Sequence, residues 1–356
     1  MDATGLRVIQ WATGAVGKHA LRALIEDPSL ELVGVHVSHH EKVGRDAGEL
    51  AGLPVRTGVH ATDDVDGLLS VPADCVVYTA VGETRVAEAV GEITRLLRSG
   101  KNVVSTSMMN LIHPASASPK LTVPLEEACR EGGTSLFTNG IDPGFTGDLM
   151  PLAALSLCER VETVRVQELA DYGSHPDPSW AGPFGFGKPP DAPAPILLPG
   201  VPTLFWGGMV KLLAEAMRVE LDEIRESTER FVAPERFEVP MAVIERGTVS
   251  AIRFEVCGIV DGRPVISAEH VTRTRPDQAP DWPVPPEGCG SVHRVAIEGS
   301  PSLTLDLSLG TSAYGRGGLL ATAMRVVNAI PAVCAAPPGL LTTLDLPIAP
   351  GRALFR

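Results

Sequence analysis

The sequence lacks the marks of several large classes of protein. Its six cysteines are scattered, with no CxxC pair and no paired histidine spacing, so we expect a reducing cytoplasmic compartment and no metal site. Basic residues are not in excess either. The 30 lysines and arginines stand against 43 aspartates and glutamates, and the net charge of −13 speaks against a nucleic-acid partner or an anionic membrane surface.

Long apolar runs are also missing. No run approaches the roughly 20 residues that span a bilayer, and the N-terminus MDATGLRVIQW has no basic segment followed by an apolar core. The chain of 356 residues is 44% hydrophobic and 21% charged, which is ordinary for a globular protein. That length is large for one compact domain, so we expect two domains. The scattered cysteines and the N-terminal pattern lead us to expect a cytoplasmic protein.

Short apolar runs alternate with helical patterns in the first 148 residues. Each predicted helix lies between two predicted strands, and this order favours a parallel, doubly wound sheet of the Rossmann type. The predicted strands cover 6–11, 30–38, 73–80, 101–107 and 134–140, and the predicted helices cover 18–28, 86–100 and 125–133. We therefore expect residues 1–148 to form a dinucleotide-binding domain.

The turn after the first strand carries an AxGxxG pattern. Gly14 would let the backbone approach a pyrophosphate, Gly17 would let helix and strand pack closely, and the helix N-terminus offers free N–H groups to an anion. Ala12 replaces the usual first glycine, so a tight turn without a ligand remains the alternative. The residues predicted to contact the cofactor here are Ala12, Thr13, Gly14, Ala15, Val16 and Gly17.

The end of the second strand discriminates between NAD and NADP. An NAD site usually has an acid there, whereas an NADP site has a cation for the 2′-phosphate. In this chain the only acid nearby is Glu41, and the predicted contacts are Ser38, His39, His40, Lys42 and Arg45. We therefore favour NADP, with NAD tolerated. The alternative is a solvated basic loop.

The pattern changes to long alternating strands from about residue 149. The segment 160–173 alternates, 203–218 is helical, and 236–274 contains strands joined by a VDGRPV turn. Two more strands lie in 292–310. We expect residues 149–316 to form a substrate-binding and dimerisation domain with a mixed or antiparallel sheet and helices on one face. The helix 317–330 and the tail to 356 are expected to return to the nucleotide domain.

A proline-rich segment, 174–202, interrupts the second domain. Its prolines and glycines make regular structure unfavourable there, and so long a stretch is typical of a lid or of an arm that grips a partner subunit. Trp180, Phe184 and Phe186 would close over a substrate in the first case.

Five segments together resemble one known family. They are the fingerprint turn, VVYTA (76–80), NVVSTS (102–107), GIDPGF (140–145) and TAMRVVNAIPAV (322–333). The chain resembles the 2,4-diaminopentanoate dehydrogenase and native amine dehydrogenase family, whose N-terminal half is similar to dihydrodipicolinate reductase. The resemblance implies a homodimer and a reversible reductive amination, in which NAD(P)H reduces an imine formed from a carbonyl compound and ammonia. Further cofactor contacts on these segments are Thr79, Ala80, Ser105, Thr106, Ser107 and Pro143.

The chain departs from the family at one chemical position. The family has a glutamate just before an L-x-x-P segment, and alignment on Leu111 and Pro114 places Asn110 there. An amide accepts no proton and carries no negative charge opposite a cationic imine. The sequence offers replacement groups in Asp142, Asp148, Glu168, Tyr172 and His175. Each also has a structural interpretation, such as a helix cap, a solvated face or a packed core residue.

Three functions stay open on these observations. The first is an amine dehydrogenase with a replacement acid–base group. The second is a carbonyl or imine reductase that uses no ammonia, and the third is a non-catalytic nucleotide-binding protein. The rest of the site is intact, which favours an enzyme. An apolar pocket for a small carbonyl compound or amine is predicted from Met108, Met109, Phe145, Trp180 and Phe184.

Overall fold

The computed structural model describes residues 5–173, 181–312 and 315–352. The chain forms two compact units. The first consists of Met1–Phe145 together with Gly310–Arg356, and the second of Thr146–Leu309. The sequence placed these divisions at 148 and 316. We call the two units the nucleotide unit and the second unit.

The nucleotide unit contains an open parallel sheet, as predicted. Its described strands run in the order β17-β6-β5-β4-β1-β2-β3, and every pairing is parallel. The strands are β1 (Leu6–Trp11), β2 (Leu30–His36), β3 (Ala61–Thr62), β4 (Cys75–Tyr78), β5 (Asn102–Ser105), β6 (Ser135–Thr138) and β17 (Gly339–Leu341). Strand β4 is buried along its whole length because both faces of the sheet are covered.

Helices cover the two faces of this sheet. They are α1 (Ala15–Glu26), α2 (Ala47–Ala51), α3 (Val65–Ser70), α4 (Val86–Arg98), α5 (Pro119–Gly132), α9 (Gly317–Val327) and α10 (Ile330–Ala335). Val76 and Tyr78 pack on the side of α4 and α5, whereas Cys75 and Val77 pack on the side of α1, α9 and α10. Helix α5 begins six residues before the prediction because Ser118 caps its N-terminus and a proline follows at the first helical position.

The end of the chain is attached to the nucleotide unit by hydrogen bonds. Helix α9 packs against α1, and β17 adds a strand beside β6. Arg325 on α9 donates through Nε to Asn139 Oδ1 at 3.0 Å and through Nη2 to Thr343 Oγ1 at 3.0 Å. Asn139 Nδ2 in turn donates to Thr343 Oγ1 at 3.3 Å. These bonds join three segments that are far apart in the sequence.

The stretch Gly317–Ala335 is more apolar than the sequence analysis allowed. It covers 19 residues with a mean hydropathy of 1.5, which is long and apolar enough to cross a membrane by length and composition. One such helix is weak evidence for a membrane. Ala323, Val326, Ile330 and Val333 lie in the core of the nucleotide unit, and 33% of the stretch is buried.

The second unit is built on a mixed sheet, as predicted. Its described strands run in the order β14-β13-β7-β12-β11-β8, with β7 and β12 parallel and the other pairs antiparallel. The strands are β7 (Arg160–Asp171), β8 (Glu223–Val232), β11 (Val249–Val260), β12 (Arg263–Arg273), β13 (Ser291–Ser300) and β14 (Leu303–Leu307). The described chain also contains α6 (Leu149–Leu155), α7 (Ala181–Phe184), α8 (Val201–Met217) and the short pairs β9–β10 (Phe237–Val239, Ala242–Ile244) and β15–β16 (Thr311–Ser312, Gly315–Arg316).

The two faces of this sheet differ in chemistry. Helix α8 packs against β11 and β12 on one face. The other face carries a charge network around Glu269, whose side chain is almost fully buried. Glu269 accepts from Arg165 Nη1 at 2.9 Å, from Arg253 Nε at 2.7 Å and from Gln167 Nε2 at 2.7 Å. A buried carboxylate is tolerated here because two guanidinium groups neutralise it.

The described part of the proline-rich segment, 181–202, is more regular and more firmly packed than expected. It contains α7 and a turn of 3₁₀ helix at Pro195–Leu197, and α8 begins at Val201. Gly187 donates its N–H to the carbonyl of Val249 at 2.9 Å. Phe186 is buried in an apolar cluster of the second unit, and whether the segment acts as a lid or as an arm stays a prediction.

Candidate active site

The turn between β1 and α1 has the backbone geometry of a dinucleotide fingerprint. Ala12 has a positive φ of 70°, the conformation for which the usual glycine is suited. A Cβ added to Gly17 would lie 2.3 Å from the carbonyl oxygen of Ala12 and 2.5 Å from Thr79 Oγ1. A Cβ added to Gly14 would meet nothing within 4 Å. Packing therefore requires the second glycine, whereas the first leaves open space in front of α1.

That open space suits a pyrophosphate. Gly14 is the N-cap of α1 and no side-chain hydrogen bond caps the helix in the described residues, so its first N–H groups are available to an anion. Gln10 on β1 stabilises the turn. Its Nε2 donates to the carbonyl of Ala12 at 2.8 Å and to Thr79 Oγ1 at 2.9 Å. Gln10 is fully buried, and its role was missed because a single polar residue in a strand carries no recognisable signal.

The loop after β2 brings one cation to this turn. Lys42 Nζ donates to the carbonyl oxygen and to Oγ1 of Thr13, both at 3.2 Å. Arg45 instead pairs with Glu49 at 2.8 Å. The loop residues Ser38, His39 and His40 are exposed. Lys42 is thus the predicted cation that the structure places against the fingerprint.

A polar cluster lies under the same edge of the sheet. Glu92 on α4 accepts from Tyr78 Oη at 2.6 Å, from Trp11 Nε1 at 3.3 Å and from Arg85 Nη2 at 3.0 Å. The ring of His36, the last residue of β2, stacks on Trp11 with centroids 3.9 Å apart. Burial lowers the pKa of His36 below its ordinary value, and burial followed by Glu92 raises the pKa of Tyr78. This cluster was not predicted from the sequence.

The chain turns sharply after β5. Ser105 Oγ accepts the N–H of Ser107 at 3.0 Å, and Met108 has a positive φ of 61°. The Met108 side chain is 3% exposed and packs in the core of the nucleotide unit, and its role in a substrate pocket stays a prediction. Met109 and Asn110 follow in a 3₁₀ turn, Met109–Ile112, and both are partly exposed.

Glu83 is the carboxylate that the structure brings to this turn. It lies in the loop after β4, and its Oε1 accepts the N–H of Met108 at 2.8 Å. Its Oε2 accepts the N–H of Gly82 at 3.2 Å. The residue is exposed, and no ion pair within the described chain involves it. Glu83 was not predicted from the sequence, because its position beside the end of β5 follows only from the tertiary fold.

The GIDPGF segment, 140–145, follows β6 and ends the first part of the nucleotide unit. Pro143 and Gly144 are buried, while Asp142 and Phe145 are partly exposed. A Cβ at Gly144, whose φ is 143°, would approach Asn139 Oδ1 to 2.8 Å, so this turn needs a glycine. Beyond it, in the second unit, Asp148 is fully buried and caps α6 by accepting the N–H of Leu149. Asp148 therefore has a structural role as a helix cap, and its catalytic role stays a prediction.

The remaining predicted catalytic residues belong to the second unit. Glu168 on β7 has its carboxylate 3.9 Å from Nε2 of His270 on β12 and lies opposite His293 on β13. Trp206 and Phe254 pack around the His270 ring at 4.4 Å and 4.7 Å between centroids. Both histidines were missed by the sequence analysis.

Tyr172 and Phe184 contact each other edge to face at 5.4 Å, and both pack against the apolar cluster that contains Phe186. Phe184 therefore shares in the apolar packing of the second unit. The two other predicted residues, His175 and Trp180, lie outside the described residues.

The parallel sheet and the fingerprint turn with its open helix N-terminus are those of a dinucleotide-binding domain, the class of fold on which nicotinamide-dependent oxidoreductases are built. Comparison with known proteins agrees. Residues 8–106 match the family model of the dihydrodipicolinate reductase N-terminus, and residues 205–354 match that of the 2,4-diaminopentanoate dehydrogenase C-terminal domain.

Full-length relatives give the family. The chain is 42% identical to an amine dehydrogenase from Streptomyces virginiae over 97% of both chains. It is 26% identical to a 2,4-diaminopentanoate dehydrogenase from Acetoanaerobium sticklandii over 96% of this chain and 94% of that one. The solved amine dehydrogenase of Mycobacterium smegmatis has the same fold, with a TM-score of 0.76 at 24% identity over 98% of this chain and 97% of that one. The chain belongs to the amine dehydrogenase family of NAD(P)-dependent oxidoreductases.

Proposed function

We propose that this protein interconverts a small apolar amine with the corresponding carbonyl compound and ammonia, using NADPH. The observation that carries the proposal is the 42% identity to an amine dehydrogenase along 97% of the chain, which includes both units. The fingerprint turn supports it, since Gly14 leaves the α1 N-terminus open to a pyrophosphate.

In the reductive direction a ketone or aldehyde, ammonium, NADPH and a proton give an alkylammonium ion, NADP⁺ and water. The nicotinamide, when bound, supplies the hydride. The protein must hold the cofactor, orient the carbonyl carbon and stabilise the cationic iminium that precedes reduction. Asn110 offers an amide that can donate a hydrogen bond to the carbonyl oxygen but supplies no charge.

The preference for NADP rests on Lys42. Its ammonium group is held at the fingerprint by Thr13. The only acid close to the end of β2 is Glu41, next to Lys42 in HVSHHEK, and the other side chains of this loop are neutral or basic. A charged hydrogen bond to phosphate is worth about 1.5–3 kcal/mol. Lys42→Ala should therefore weaken NADPH binding about 10- to 100-fold. The same variant should change NADH affinity little. Equal losses for both cofactors would contradict the assignment.

A second function is ammonia-independent reduction of a carbonyl compound, and the neutral Asn110 side chain favours it. The test follows NADPH oxidation over a panel of apolar ketones and aldehydes, each with and without excess ammonium. Turnover that requires ammonium supports the amine dehydrogenase proposal. Equal turnover without ammonium supports the reductase instead. No turnover with any compound, in a protein that binds NADPH, would count against both.

The proposal includes a cytoplasmic homodimer. All six cysteines are free thiols, which suits a reducing compartment. The face of the second unit's sheet around Glu269 carries charges of both signs, which suits self-association. Light scattering of the purified protein tests the oligomeric state directly.

A further inference from the structure

We propose that Glu83 supplies the negative charge that faces the iminium cation in this protein. The inference rests on the proposed amine chemistry and identifies the group that this chain uses for it. Asn110 cannot do so, because an amide is neutral at every working pH. Formation of the iminium cation in a protein site costs electrostatic free energy, and a fixed carboxylate nearby lowers that cost.

The position of Glu83 satisfies the first requirement, which is proximity to the reactive edge. In an open parallel sheet, ligands bind at the carboxyl ends of the strands. Glu83 follows β4 and is hydrogen-bonded to Met108, which follows the neighbouring strand β5. The Met108 N–H precedes the 3₁₀ turn that contains Asn110. The Glu83 carboxylate is therefore hydrogen-bonded to the residue that directly precedes the turn carrying Asn110.

The charge of Glu83 is not consumed by a neighbouring cation. Arg85, two residues away, pairs with Glu92 and donates its Nε to the carbonyl of Val81. The contacts of Glu83 within the described chain are the two backbone N–H groups of Met108 and Gly82. Backbone N–H groups orient a carboxylate without neutralising it. A fixed carboxylate of this kind is suited to a cationic partner.

A second feature of the same loop indicates a ligand. Ser107 is 2% exposed, and its Oγ has no hydrogen-bond partner in the described part of the chain. It lies against the loop that carries Glu83, since a Cβ added to Gly82 would come within 2.3 Å of it. A buried hydroxyl without a partner is costly in a finished structure. A bound ligand or the water that it orders would satisfy Ser107 beside the Glu83 carboxylate.

The role of Glu83 then has two steps. Its carboxylate holds ammonium and accepts one of its protons, so that ammonia attacks the carbonyl carbon and water leaves on dehydration of the adduct. It next lies opposite the iminium cation until hydride transfer from NADPH removes the positive charge. The proton that it took from ammonium passes to the departing hydroxyl as water. No atom or electron is required beyond the carbonyl compound, ammonium, NADPH and a proton.

Glu83→Gln separates charge from structure, because the amide oxygen of glutamine still accepts the Met108 N–H. Glu88→Gln is the matched control, since Glu88 is an exposed glutamate in the first turn of α4. We expect Glu83→Gln to lower kcat/KM for ammonium about 10²-fold, the loss typical for one electrostatic group. Its Kd for NADPH and any turnover without ammonium should stay within about twofold, and Glu88→Gln should match the native protein.

The double variant Glu83→Gln with Asn110→Glu completes the experiment. If the role is charge at this turn, a glutamate at 110 should restore at least tenfold of the lost ammonium-dependent turnover. The inference is wrong if Glu83→Gln keeps native ammonium-dependent turnover, or if it loses NADPH binding as well. Glu168→Gln is made in parallel, and a loss of ammonium-dependent turnover in that variant alone would also overturn the inference. Native protein that shows no ammonium dependence would instead refute the proposed function on which the inference rests.

Discussion

The two fingerprint glycines should separate cofactor binding from stability. Gly17→Ala would place a methyl group 2.3 Å from the Ala12 carbonyl oxygen. Gln10 Nε2 donates a hydrogen bond to that oxygen at 2.8 Å, so moving the oxygen away from the methyl group costs free energy. Overpacking of this kind costs about 1–3 kcal/mol. In a unit of this size each kcal/mol lowers Tm by about 2–4 °C, so we expect a fall of about 2–12 °C.

Gly14→Ala should weaken NADPH binding and leave the Tm nearly unchanged. The added methyl group meets nothing within 4 Å, and φ at Gly14 is −76°, which alanine adopts readily. The exchange costs only the poorer helix cap, under about 1 kcal/mol. The methyl group would, however, stand where the pyrophosphate approaches. Loss of one charged hydrogen bond costs about 1.5–3 kcal/mol and weakens NADPH binding about 10- to 100-fold.

Thermal unfolding and NADPH fluorescence titration of both variants give the two quantities. A Gly14→Ala protein that binds NADPH like the native protein would refute the assignment of the α1 N-terminus as the pyrophosphate site. A Gly17→Ala protein with native Tm would show that the turn relaxes despite the bond from Gln10.

Three further substitutions test the polar contacts of the two units. Burial lowers the pKa of His36 from its ordinary value of 6.5, so the unfolded chain binds the proton more tightly and the free energy of unfolding falls as pH drops below about 6.5. His36→Phe keeps a ring beside Trp11 and should reduce that loss, measured by urea unfolding at pH 5.5 and at pH 8. Glu269→Gln should destabilise the second unit by about 2 kcal/mol, less than a fully buried pair because Arg165 and Arg253 are partly exposed, and an unchanged urea midpoint would contradict this. Arg325→Met should cost about 1.5–3 kcal/mol by removing the bonds to Asn139 and Thr343, with limited proteolysis of the C-terminal segment as the readout.

Periodicity predicted most of the fold because most elements bury a regular apolar face. The parallel sheet of the nucleotide unit and the mixed sheet of the second unit were both predicted from alternation alone. Strand β8 was missed because EIRESTERFV places charged residues on both sides and has little apolar signal. Strand β17 was missed because its three residues become a strand only by pairing with β6.

The site was less predictable because its side chains are placed by loops. The AxGxxG spacing identified the cofactor turn, since that geometry is local. The burial of Met108 and its positive φ could not be predicted, because the loop after β5 has no regular pattern. Glu83, His270 and His293 were missed because each is brought near its partners by strands distant in sequence.

The proposed assignments of Lys42 and Glu83 share one structural basis. Each side chain comes from a loop that follows a strand, and each is tied to the turn that follows the adjacent strand, Lys42 at Thr13 and Glu83 at Met108. If Glu83 has the proposed role, its carboxylate reaches the site from a loop and leaves the parallel sheet unchanged. Amine chemistry would then be compatible with Asn110 at the position where the resemblance implies a glutamate. The double variant with Asn110→Glu tests this directly, since a charge restored at either position should serve the same iminium cation.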